Sequence, residues 1–190
     1  MRIKFCGIQN QKDAKKAEKL GAHAIGVIVK TESNRSIELD KAEEIFKSLG
    51  PYTTKVCVTK TTSSDKLKSI EKTSADAIQI YSEPKIRLKK PLIRAVSDKK
   101  QLKNISHSKA ILLDKSHGKG KKLPITLYKK IMNSINKPVL VSGGINPNNI
   151  KEIVDHLNPY GIDVSSGIET SKGTKDTKKM KKILKRGLNL

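Results

Sequence analysis

Several positions along the 190-residue chain carry residue types that could do chemistry. Cys6 ends the apolar run Ile3 to Cys6 and is followed by Gly7, whose backbone freedom allows a sharp turn. As a thiolate it would serve as a base or a nucleophile; on position alone it reads as a small buried hydrophobe. Asp114 directly follows the run Ala110 to Leu113, where a carboxylate is either a general acid or base or a cap for the next loop. The segment SHGKGKK beyond it, residues 116–122, is glycine-rich and basic, which suits a mobile lid or an anion contact. Two further runs end in SGGIN and in DVSSGIE. Small residues there let backbone N–H groups approach an anion, so Gly143, Gly144, Ser166 and Gly167 form a candidate phosphate cradle; ordinary tight turns are the alternative.

The elements that must position these groups are legible as a repeating pattern. Eight short β-rich apolar runs recur: Ile3 to Cys6, Ala24 to Val29, Lys55 to Val58, Ala77 to Tyr81, Leu92 to Val96, Ala110 to Leu113, Val139 to Ser142 and Ile162 to Ser165. They are nearly continuous in hydrophobicity, the pattern of parallel strands buried on both faces. Between most of them lie segments of helical period: Lys12 to Leu20, Leu39 to Leu49, Ser64 to Thr73, Pro124 to Ile135, Pro147 to His156 and Lys175 to Leu184. Pro124 and Pro147 sit at first-turn positions and Asn146 is placed as an N-cap, while Gly21 and Gly50 are placed to close the first two helices. The alternation predicts an α/β fold of the (β/α)8 TIM-barrel type, a single domain over residues 1–190. Only about ten residues, Ser82 to Pro91, separate the fourth and fifth strands, close to the minimum for a parallel crossover. The fourth helix should therefore be reduced or missing, and Ser97 to Lys109 has room for a short fifth helix.

Composition narrows the class. Forty Lys and Arg against eighteen Asp and Glu give a formal charge of +22. Most of that charge is lysine spread over nearly every predicted helix; arginine is scarce and aromatics are 3% with no Trp. Base readout and single-strand stacking are thus poorly supplied, and the charge is read as a solvated surface that attracts an anionic small molecule, not as a nucleic-acid stripe. Cys6 and Cys57 lack CxxC or Cys/His spacing, so both are expected as free thiols, and Cys57, inside the third strand, as core. No metal site is expected. The N-terminal run is broken by Arg2 and Lys4, and no stretch approaches the ~20 apolar residues of a membrane span, so a cytoplasmic protein is expected.

The ordered motifs KFCGI, GAHAIGVIV, SNRSI, ILLD, PVLVSGGINPNNI and GIDVSSGIETSKGTKD resemble the phosphoribosylanthranilate isomerase family of tryptophan biosynthesis. The resemblance runs from the first strand to the last helix. It implies an Amadori rearrangement of N-(5′-phosphoribosyl)anthranilate to 1-(2-carboxyphenylamino)-1-deoxyribulose 5-phosphate, without cofactor, in a monomer or homodimer. It further implies that Asp114 is the general acid and Cys6 the general base, that Arg35 grips the anthranilate carboxylate, and that Asp163 is a polar substrate contact. A cysteine base must first lose its proton, so a nearby positive charge or a substrate-assisted shift is expected. The family's fourth strand usually ends Gln-Leu-His-Gly; here Gln79, Ile80, Tyr81 and Ser82 stand instead, so a tyrosine hydroxyl replaces the histidine contact or that contact is lost. The alternatives are a sugar-phosphate isomerase of the histidine pathway, where a carboxylate usually ends the first strand, and a basic nucleic-acid-binding barrel.

Overall fold

A computed structural model describes residues 1–115 and 123–188. The segment 116–122, read above as a lid, lies outside the described residues. The strands are β1 (Arg2–Cys6), β2 (Ala24–Val29), β3 (Ser36–Ile37), β4 (Thr54–Thr59), β5 (Ala77–Ile80), β6 (Leu92–Val96), β7 (Ala110–Leu113), β8 (Val139–Ser142), β9 (Gly161–Val164), β10 (Glu169–Ser171) and β11 (Thr174–Lys175). The helices are α1 (Gln11–Lys19), α2 (Leu39–Lys47), α3 (Ser64–Glu71), α4 (Ile125–Met132), α5 (Ile150–Leu157) and α6 (Thr177–Gly187). Eight parallel strands run in the order β1-β9-β8-β7-β6-β5-β4-β2, and β1 pairs with β2 to close the ring. The expected barrel is therefore the observed one.

Alternation along each strand divides the core. Outward residues such as Ile3, Phe5, Val27, Ile78, Val96 and Val141 join the helices in one large apolar layer. Inward residues form two small clusters inside the ring, one around Cys6, Val56 and Val58, the other around Ala95, Leu112 and Leu140. Cys57 belongs to the outer layer, with its thiol pushed up to about 11 by burial. Both cysteines are free.

The short crossover behaves as its length requires: no helix lies between β5 and β6, and only a 3-10 turn, Lys99–Asn104, lies between β6 and β7. Local boundaries differ from expectation at three places. Asn149, not Asn146, occupies the N-cap of α5, and Asn146 instead accepts a bond from the Asn148 N–H within the preceding turn that holds Pro147. Pro124 is the N-cap of α4 itself. Gly21 does take the left-handed backbone after α1, φ 99°, but Gly50 does not serve α2 that way; its N–H donates to Glu18 across the gap at 2.8 Å. The two-residue strand β3 and the β10–β11 hairpin were not anticipated. No helix of the described residues is long and apolar enough to cross a membrane.

Candidate active site

Cys6 closes β1 with its side chain inside the ring, 5% exposed. Its register partner on β2 is Gly26. A Cβ at Gly26 would stand 2.8 Å from Lys4 Nζ and 3.1 Å from Cys6 Sγ, so the missing side chain is the space on which an ammonium and a thiol converge. Lys4 Nζ also pairs with Asp163 on β9 at 2.9 Å, with the two side chains 2% and 5% exposed. Burial works against the Lys4 ammonium, but Asp163 and the Cys6 sulfur outweigh it and hold the pKa above the usual lysine value. Burial likewise pushes the Cys6 thiol up, and the charges of Lys4 and Lys175 oppose that only in part. The thiol is therefore protonated at neutral pH, with a counter-charge waiting beside it.

Asp114 follows β7 and is 3% exposed. Its backbone N–H is fixed to the Val96 carbonyl at 2.9 Å, and its Oδ2 accepts a bond from the Tyr81 hydroxyl at 3.2 Å. Burial, then the charges of Asp114, Cys6 and Asp163, raise the Tyr81 pKa well above 10, so this phenol is a fixed donor. Lys60 Nζ stands 5.3 Å above the Tyr81 ring. Just beyond Asp114, the Lys115 N–H donates to the buried Tyr128 hydroxyl of α4 at 2.7 Å, which ties the loop's first residue to the helix layer.

A second buried network flanks Cys6. Lys175 Nζ donates to the Cys6 carbonyl at 2.8 Å, to the Ser165 carbonyl at 3.2 Å and to Glu169 Oε1 at 2.7 Å. Glu169 also receives the Nε and Nη2 of Arg35, both at 2.7 Å. The predicted anthranilate-gripping fork of Arg35 is thus occupied by a carboxylate of the protein, and its Nη1 is the nitrogen with no protein partner among the described residues. The Arg35 side chain crosses above Gly7, where a Cβ would meet its Cδ at 2.8 Å, so Gly7 does more than allow a turn. Burial pushes Glu169 up, but Arg35 and Lys175 bring its pKa down to about 2. A carboxylate depressed on folding contributes stability above its unfolded pKa of ~4.3, and that contribution drains away as pH falls toward the folded value. Acid titration of unfolding free energy should show a loss between pH ~4 and ~2 that is absent in Glu169→Gln; coincident acid slopes for the two proteins would contradict the ion triad.

Gly143 and Gly144 follow β8 with left-handed backbones, φ 106° and 63°. The Gly144 carbonyl is held by the amides of Asn146 and Asn149 at 3.1 and 2.9 Å. Ser166 and Gly167 lie in the 3-10 turn Ser166–Ile168 after β9. A Cβ at Gly167 would fall 1.8 Å from the Ile145 carbonyl oxygen, so the two loops meet backbone to backbone. The two loops that carry the cradle residues named from the sequence therefore meet through Gly167 and Ile145. A rim cavity of about 830 Å³ includes Lys30, Arg35, Lys60 and Lys172 in its lining and opens beside Cys6's end of the barrel.

Lys4, Glu169 and Lys175 were missed by sequence reasoning. Lys4 had a signal: it interrupts, at an inward position, the otherwise apolar run Ile3 to Cys6. Gln79 is a further buried polar group, 1% exposed and registered against Val58, with neither end of its amide bonded to protein among the described residues. Among those residues no group of three or more His, Cys, Asp or Glu is gathered as a metal ligand set.

A family model for N-(5′-phosphoribosyl)anthranilate (PRA) isomerase matches residues 3–186. The chain belongs to that family. It is 38% identical over 182 residues, 95% of this chain and 93% of the relative, to the N-(5′-phosphoribosyl)anthranilate isomerase of Methanoregula boonei. It superposes on the crystal structure of the Thermotoga maritima phosphoribosyl anthranilate isomerase with a TM-score of 0.88 at 29% identity, covering 100% of both chains. A phosphoribosyl anthranilate isomerase in complex with reduced 1-(o-carboxyphenylamino)-1-deoxyribulose 5-phosphate aligns with a TM-score of 0.85 at 28% identity, again over 100% of both chains. The family expectation raised by the motifs holds across the barrel.

Proposed function

We propose that Asp114 and Cys6 are the acid and base with which this isomerase rearranges N-(5′-phosphoribosyl)anthranilate to 1-(2-carboxyphenylamino)-1-deoxyribulose 5-phosphate. The observation that carries the assignment is the Tyr81 hydroxyl: it is bonded to Asp114 and lies within electrostatic reach of Cys6 and Asp163, so groups from β1, β7 and β9 face one small volume. Asp114 gives its proton to the ribose ring oxygen; the C1′–O bond breaks and the anthranilate nitrogen lone pair forms an iminium with C1′. Cys6 as thiolate removes the C2′ proton, and that electron pair forms the C1′–C2′ double bond of an enolamine. The Cys6 thiol then returns a proton to C1′ while the C2′ hydroxyl gives its proton back to the Asp114 carboxylate, which leaves the ketone at C2′ and restores both groups. Tyr81 orients the acid, while Lys4 stabilises the thiolate as it forms and keeps Asp163 aligned for the sugar hydroxyls.

The substrate carries two anions at its ends. Gly143, Gly144, Ser166 and Gly167 present backbone to the phosphate, as in many barrels. Arg35 reaches the anthranilate carboxylate through Nη1, or through the whole fork if Glu169 yields to Lys175 alone. Gly167→Ala forces the β8 and β9 loops apart, because its Cβ meets a backbone oxygen that cannot rotate away. That variant should raise KM about ten-fold or more with a smaller change in kcat, since phosphate binding is shared by ground and transition states. An unchanged KM would remove the cradle from this position.

The reaction is tested by adding the purified protein to phosphoribosylanthranilate and following the loss of its fluorescence, beside a parallel assay with the histidine-pathway substrate. Turnover of the histidine-pathway substrate alone would overturn the assignment. Cys6 favours the anthranilate reading, because the rival chemistry usually has a carboxylate at the end of the first strand.

A further inference from the structure

The missing helix between β5 and β6 leaves a cavity of about 530 Å³ on the outer flank of the barrel. Its floor is β6. Leu92 and Val96 point into the outer apolar layer and Ala95 into the ring, so by alternation Arg94 points outward with Leu92, into the cavity. Arg94 is 7% exposed, and its Nε and Nη1 are buried without a hydrogen-bond partner. Glu83, the acidic residue of the lining, makes no ion pair with it among the described residues. An outward barrel position normally holds an aliphatic residue against a helix; a guanidinium there keeps its charge at every working pH. Desolvation lowers its pKa from the usual arginine value, and the charge of Glu83 opposes that only in part. Lys85, Arg87 and Lys109 stand exposed around the opening, with His107 beside them. Lys109 precedes β7 and the lining reaches the start of β6, so the cavity extends toward the end of the barrel opposite Cys6 and Asp114.

The geometry points to a second anion site, in which the Arg94 fork and the basic rim bind the phosphate group of a small phosphomonoester. The volume lies within the ~300–1,000 Å³ of ordinary small-molecule sites and exceeds what a bare phosphate fills, leaving room for an attached sugar-sized group. The planar fork matches two phosphate oxygens at once, which lysines alone cannot do. This inference is independent of the roles given to Cys6 and Asp114.

His107 supplies the readout. Its imidazole proton resonance, assigned by its loss in His107→Gln, is followed by NMR while inorganic phosphate or ribose 5-phosphate is added at constant pH and ionic strength, with chloride as control. A saturable shift is expected with both phosphates, tighter with ribose 5-phosphate, and none with chloride. Arg94→Met should weaken the apparent affinity by about ten-fold or more, the loss of a charge-assisted bidentate contact. The rim variant Lys85→Gln/Lys109→Gln, exposed and tolerant of change, should weaken it too if Arg94→Met fails to fold. Gly167→Ala, which strikes the catalytic-side cradle, should leave the His107 titration unchanged. The proposal is overturned by the absence of a saturable shift, by an equal shift with chloride, by unaltered affinity in the Arg94 and rim variants, or by a titration that follows Gly167.

Discussion

Asp114→Asn should lower kcat by about 10³-fold, within the ~10²–10⁴ that a positioned acid or base contributes, while the protein remains folded. The fold is spared because the Tyr81 hydroxyl donates to Oδ2 and can donate to an amide oxygen just as well. Cys6→Ala should cost a comparable factor, since it removes the other proton-transfer group and shortens a side chain that sits with Val56 and Val58 in one of the small inner clusters. The two losses differ in kind. Without Asp114 the ring does not open, so a substrate deuterated at C2′ should react no more slowly than the ordinary one. Without Cys6 opening persists and carbon deprotonation limits the rate, so the same substrate should show its full primary isotope effect. Near-parental turnover in either variant would cancel the role assigned to that residue, and an isotope effect that grows in Asp114→Asn would move Asp114 from ring opening to the deprotonation step.

Lys4→Met should be the most destabilising single change around the site. It strands the Asp163 carboxylate at 5% exposure without its partner, and breaking such a buried pair costs ~3–5 kcal/mol. For a chain of this length that corresponds to a fall in melting temperature of about 10 °C. Replacing both members, Lys4→Met with Asp163→Leu, should recover most of the stability because no uncompensated charge is left, yet it should not recover activity. The chemistry reads the same lysine differently. The working form needs one proton shared between acid and base, so on the alkaline side the rate falls when that proton leaves, at the raised pKa of the thiol. Lys4 pulls that pKa down. Its removal should shift the alkaline limb of kcat/KM to higher pH and lower the plateau, because less of the enzyme carries the proton on the acid. A limb that stays in place would make Lys4 a purely structural residue.

The barrel was legible because buried parallel strands are apolar on both faces, and runs such as Val139 to Ser142 and Ala110 to Leu113 need no alternation to be recognised. The lost fourth helix was legible too, from the length of Ser82 to Pro91 alone. Cys6 was not: by type and position it is one more small core residue, and only the ordered motifs raised it above Cys57. The flanking cations escaped for a physical reason. In a chain so rich in lysine, Lys4 and Lys175 look like surface charge, and what distinguishes them is a carboxylate 159 residues away for one and a main-chain carbonyl 169 residues away for the other. The motif named Arg35 but not its partner, since nothing local in sequence announces that Glu169 meets it across the mouth of the barrel.

Tyr81 carries a consequence for how the enzyme responds to its surroundings. An imidazole at that place, as the family pattern would have it, gains a full positive charge in mild acid. A phenol with its pKa held far above neutrality offers the same directional bond with no charge state to change. The substitution therefore keeps the donor beside Asp114 uncharged across the pH range in which an imidazole would titrate.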